Sequence, residues 1–211
     1  DGGSWSGSGS GSGSEDYSSD GSATYESSEV TASVAAAGPP RPHYDYDVFI
    51  AHSWGQGNST HKRALSLAQQ LRAKGLTVWI DEERISPANS FETVTRAIDG
   101  SRVVLVCVTA RLLQRVAARE DSVNKLQVNY TRLKKRRDRV VPVVMEARVR
   151  DRAAWATALG SLGGTAPLDL SEGRAPSAAA VAQLSGLLQL RLEEVRAEEA
   201  AADRGQGAQG W

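Results

Sequence analysis

The chain has 211 residues, and its 25 lysines and arginines balance 25 aspartates and glutamates. That neutrality gives no electrostatic footprint for nucleic acid or for an anionic membrane surface. The single cysteine excludes an intrachain disulfide, and no run approaches the roughly 20 apolar residues of a membrane-spanning helix.

Residues 1–42 hold Gly/Ser repeats, an acidic serine-rich stretch and the Pro39-Pro40-Arg41-Pro42 hinge. So few apolar side chains cannot offset the entropy of ordering the backbone, and a disordered linker is expected there. A single domain is expected over 43–196, followed by a flexible acidic, Ala-rich and Gly-rich tail over 197–211. The chain opens on Asp1 rather than Met, which reads as a fragment or processed piece. With no charged-then-apolar leader, the expected compartment is the cytoplasm. Cys107, inside an apolar run, is then a buried reduced thiol.

The first structured run, Val48-Phe49-Ile50, is β-branched and aromatic without helical spacing, as in a strand buried on both faces. After a polar turn, Ala64, Leu65, Leu67, Ala68 and Leu71 keep a helical period over 60–74. Ser59 or Thr60 can cap its start, and Gly75 stands where a left-handed end belongs. Residues 76–81 form a second strand. Strand, helix, strand implies parallel pairing through a crossover, which collects the loops after the strands on one rim of the sheet.

A helix with Phe91, Val94, Ala97 and Ile98 on one face runs through Gly100 into residues 103–108, apolar throughout and therefore central in the sheet. Residues 109–120 read as a helical turn or two. Asp121 or Ser122 can cap a further helix whose inward face would be Val123, Leu126, Tyr130 and Leu133. Its closing Lys134-Lys135-Arg136-Arg137 suits the negative end of the helix dipole better than it suits nucleic acid. Pro142 moves the strand at 140–145 toward a sheet edge, unless that strand pairs on one side only there. A short fifth strand follows at 167–170, and Pro176 opens a closing helix with Leu184, Leu187, Leu188, Leu192 and Val195 inward. His43, His52 and His61 lack metal-ligand spacing, so neither a metal nor a cofactor is expected.

Several of these stretches match a known pattern. Tyr46-Asp47-Val48-Phe49-Ile50-Ala51-His52-Ser53 resembles the first signature box of the Toll/interleukin-receptor (TIR) domain family, and Gly75-Leu76-Thr77-Val78-Trp79-Ile80-Asp81 resembles that family's second strand. Arg84-Ile85-Ser86-Pro87 resembles its polar loop, although the glycine usual after the proline is Ala88 here. Residues 97–106 are similar to its second helix running into the third strand. The resemblance covers about 44–190 and is densest before Thr109. It implies a flavodoxin-like α/β fold, an open parallel five-stranded sheet with helices on both faces.

The same resemblance implies a function of one of two kinds. Some TIR domains are signalling and assembly modules that associate with other TIR domains, like or unlike, through the loop after the second strand. In this chain that loop is Glu82-Glu83-Arg84-Ile85-Ser86-Pro87-Ala88-Asn89-Ser90, stiffened by its proline and carrying both charge signs. Other TIR domains cleave NAD with a glutamate typically four residues after a tryptophan, on the helix before the fourth strand. Here Val123 and Gln127 stand in those two places. An amide has the shape of a carboxylate without the charge that would stabilise an oxocarbenium-like transition state.

Assembly with other TIR domains is therefore the principal expectation. The alternatives are an NAD hydrolase whose carboxylate is Glu120 or Asp121, and a nucleotide-binding pseudoenzyme. For nucleotide binding, the rim offers Ser53, Trp54 and Arg84, with the indole to stack a base and the guanidinium to meet a phosphate. Equally, Trp54 can be a half-buried loop aromatic and Arg84 the partner of Glu82 or Glu83.

Overall fold

The computed structural model describes residues 43–82, 90–155, 157–160, 162, 166–173 and 175–207. The Gly/Ser-rich segment 1–42 and most of the polar loop, 83–89, lie outside them. Strands β1 (Tyr46–Ala51), β2 (Val78–Ile80), β3 (Ser101–Val108), β4 (Val140–Val144) and β5 (Leu168–Asp169) form one all-parallel sheet in the order β2-β1-β3-β4-β5. This is the flavodoxin-like open sheet, with chain order reversing between β1 and β3.

Helices α1 (Ser59–Arg72) and α5 (Ala178–Gly207) cover one face, over Val48, Ile50, Leu105, Cys107 and Val143. The other face, over Phe49, Ala51, Val104, Val106 and Val144, carries α2 (Ser90–Asp99), α3 (Ala110–Ala117) and α4 (Val123–Lys134). Alternate residues of β1 and β3 thus enter two separate cores, which is why those runs are apolar without interruption. Burial pushes the Cys107 thiol up to about 12, so the sulfur is a packing atom rather than a nucleophile.

Pro142 pairs with Val106 of β3, while β5 reaches only Val143 and Val144. The strand is internal, and its missing N–H falls at a level where it has one neighbour only. α1 starts at Ser59 after Asn58, which sits at φ 59° without a side-chain capping bond. Ser59 and Thr60 are therefore inside the first turn rather than capping it. Gly75 takes the expected left-handed turn at φ 84°, and the Ser122 hydroxyl caps α4 by accepting from Lys125 N at 3.2 Å.

The inward face of α4 differs from the expectation. Gln127, Val128 and Thr131 are buried, Val123, Leu126 and Tyr130 are only partly so, and Leu133 is 77% exposed. Polar anchors set the rotation: Asn124 Nδ2 donates to the His52 carbonyl at 2.7 Å near one end, and Lys135 Nζ to the Ser101 carbonyl at 2.6 Å beyond the other. An apolar stripe predicts the inward face only where burial outweighs such tethers.

α5 continues past Ala197, where the sequence reading ends the domain. Its last turns meet the amino-terminal end of the sheet: Glu198 pairs with Arg136 (3.0 Å) and Arg139 (2.6 Å), and Glu199 with Arg102 (3.4 Å). Beside them the buried Asp47 carboxylate accepts from Thr77 N (3.0 Å), Thr77 Oγ1 (2.9 Å) and Arg196 (2.9 Å). Desolvation works against this charge, but the Thr77 donors and Arg196 outweigh it and hold the carboxyl below its ordinary range.

Candidate functional site

The carboxyl ends of β1, β2 and β3 surround a cleft of about 240 Å³, next to the chain reversal where open α/β sheets bind ligands. β1 delivers His52 and Trp54, β2 delivers Asp81, α3 contributes Arg111 and Arg115, and α4 contributes Asn124 and Gln127.

The aromatic wall is a stack. Trp54 lies parallel to the His61 ring, with centroids 3.8 Å apart and planes within 6°. His61 stands in the first turn of α1, and its Nδ1 shares a 2.8 Å hydrogen bond with His52 Nε2. Burial, and then the neighbouring His61, push the His52 imidazole down to about 4, and burial lowers His61 against the pull of Glu82. Both rings are therefore neutral at physiological pH. Trp54 Nε1 donates to Asp81 Oδ2 at 3.3 Å, and burial nonetheless raises the Asp81 carboxyl to about 6.

Of the residues singled out from sequence, Gln127 lines the cleft at 1% exposure, and its Oε1 has no hydrogen-bond partner among the described residues. Ser53 is buried behind the cleft, where its hydroxyl meets Thr109 Oγ1 at 3.0 Å. Thr109 in turn caps α3 by accepting from Leu112 N at 3.0 Å, so Ser53 is engaged in holding that helix. Glu120 and Asp121 are exposed outside the cleft, and Asp121 pairs with Lys125 at 3.4 Å. Glu82, also exposed, pairs with Arg72 at 2.9 Å. Arg84 and the rest of the loop to Asn89 lie outside the described residues.

Sequence reasoning missed Asp81, Arg111, Arg115 and Asn124 as cleft residues. The i, i+4 spacing of Arg111 and Arg115 was the available signal for a shared helix face, while Asp81 appeared only as the end of a strand. Among the described residues neither arginine has an ion-pair partner. Two guanidinium groups, a buried amide oxygen open to a donor and a titratable carboxyl suit a ligand with both phosphate and hydroxyl groups.

A family model described as TIR domain matches residues 48–185. No curated protein matches the chain. Solved structures that do match include a metazoan TIR-STING receptor from C. gigas in complex with 2',3'-cGAMP, 15% identical over 71% of this chain and 41% of that one, with a TM-score of 0.48. Another is rubredoxin oxygen:oxidoreductase from the anaerobe Desulfovibrio gigas, 18% identical over 75% of this chain and 38% of that one, with a TM-score of 0.44. The chain spans less than half the length of either structure.

Proposed function

Because the chain belongs to the TIR domain family, we propose that it is a signalling module that works by associating with other TIR domains, its own copies or different ones. The observation that carries this over catalysis is Gln127. It is a neutral amide, almost wholly buried in the cleft, at the position that the sequence resemblance sets against the family's NAD-cleaving glutamate, and neither Glu120 nor Asp121 lines the cleft. The association surface is the loop from Glu82 to Ser90, whose mixed charges fix partner choice and register more than affinity. Reversing the charges with Glu83→Lys and Arg84→Glu is expected to abolish concentration-dependent self-association of the full chain in sedimentation velocity. Unchanged association would remove this loop from the interface.

A second reading has one observation in its favour: the cleft does hold a carboxyl, Asp81, buried at its wall, and that burial raises it toward neutrality. With Arg111 and Arg115 lining the same cleft, the site suits the phosphate and ribose of a nucleotide such as NAD, bound and, if Asp81 replaces the glutamate, cleaved. Nicotinamide release from NAD at high protein concentration separates the readings. No release from the parent chain, with release gained in Gln127→Glu, is the expected result. Release from the parent that Asp81→Asn removes would make the chain an enzyme with a displaced carboxylate.

A further inference from the structure

A second cavity lies at the opposite end of the sheet, beside the start of β4. It offers about 370 Å³ between the end of α4 and Leu159, Gly160 and Leu162. Its floor is apolar, from Val140, Leu159 and Leu162, and its rim is basic, from Arg132, Lys135 and Arg137.

The basic run at the end of α4 divides into two sets. Arg136 and Arg139 are neutralised by Asp138 and Glu198. The rim cations are placed by uncharged groups instead. Arg132 donates to the Ala158 carbonyl at 2.7 Å; Lys135 donates to the Ser101 carbonyl at 2.6 Å and stands 5.3 Å from the centre of the Tyr44 ring. The Arg137 guanidinium has no hydrogen-bond or ion-pair partner among the described residues. Asp99 offers Lys135 its backbone carbonyl at 3.4 Å, while its carboxylate accepts from the Tyr130 hydroxyl at 2.7 Å. The helix dipole accounts for cations at this end of α4. It does not account for three around one cavity with no carboxylate paired to them.

We propose that this cavity binds a phosphate ester whose remaining part is apolar or planar: the guanidinium groups of Arg132 and Arg137 take the phosphate, and Val140, Leu159 and Leu162 take the rest. Guanidinium forks match phosphate oxygens two at a time, and the volume lies within the range of small-ligand sites. Burial, opposed by Asp99 and assisted by Arg139, brings Lys135 down to about 8, and burial lowers Arg132. A phosphate entering the cavity supplies the negative charge that this arrangement lacks. A free nucleotide and a phospholipid headgroup present the same chemistry.

The test uses the full chain in an Arg111→Gln/Arg115→Gln background, so that the cleft at the other end of the sheet does not contribute. AMP binding is measured by equilibrium dialysis, and vesicle binding by flotation with phosphatidylcholine vesicles with and without phosphatidylinositol 4-phosphate. Saturable, salt-sensitive binding is expected in at least one arm, weakened about tenfold or more by adding Arg132→Gln and Arg137→Gln, and weakened less by Arg137→Lys alone, which keeps the charge and loses the fork. Binding of AMP only assigns a free nucleotide, and binding of the phosphoinositide vesicles only assigns a lipid headgroup. No saturable binding in either arm, or binding that the Arg132→Gln/Arg137→Gln pair leaves intact, overturns the proposal.

Discussion

Asp47→Ala is expected to lower the unfolding free energy by about 3 kcal/mol near neutral pH, measured by urea denaturation of the full chain. The carboxylate is 5% exposed and receives Thr77 N, Thr77 Oγ1 and the Arg196 guanidinium, with Arg102 at 3.5 Å. Its removal leaves those donors facing one another in a partly dry site. Asp47 titrates below its ordinary value in the folded chain, so its contribution is fully present above the unfolded carboxyl pKa, about 4. It is lost as pH falls through the lower folded value. The gap between parent and variant should therefore close as the medium is acidified below about pH 4. A gap that stays constant across that range would show that the alanine acts through packing alone.

Phe49→Ala is expected to cost about 3–5 kcal/mol, read from the shift of the same denaturation midpoint. The Phe49 ring is fully buried on the α2–α4 side of β1 and stacks on Trp79 with centroids 4.6 Å apart and planes within 6°. Deleting it opens a cavity between the two central layers, and Trp79 loses its stacking partner, so native-state indole fluorescence should shift as well. Phe49→Leu refills most of that volume without the stacking and should lie between the two. A loss under 1 kcal/mol for Phe49→Ala would mean that the face collapses onto the gap.

The central strands were legible because a parallel strand covered by helices on both faces cannot carry polar residues at either parity, and 48–51 and 103–108 do not. The facing of α4 was not legible. Its apolar residues predict one side, while contacts from Asn124 to the loop after β1 and from Lys135 to the start of β3 select another. Those partners are 72 and 34 residues away in sequence, beyond the reach of any periodicity.

The candidate site divides in the same way. Gln127 was found because a family pattern gave it a place. Asp81, Arg111 and Asn124 belong to three elements brought together by strand order, and nothing local to any of them marks the meeting point.

The sheet's borders bear on how the folded chain behaves when concentrated. Its outermost strands, β2 and β5, are three and two residues long, beside the eight of β3 in the interior. A border that short offers an incoming chain very few backbone donors and acceptors, so extended-strand templating between copies has little to build on. At high local concentration of the chain, contacts between folded surfaces are then favoured over cross-β stacking into fibres.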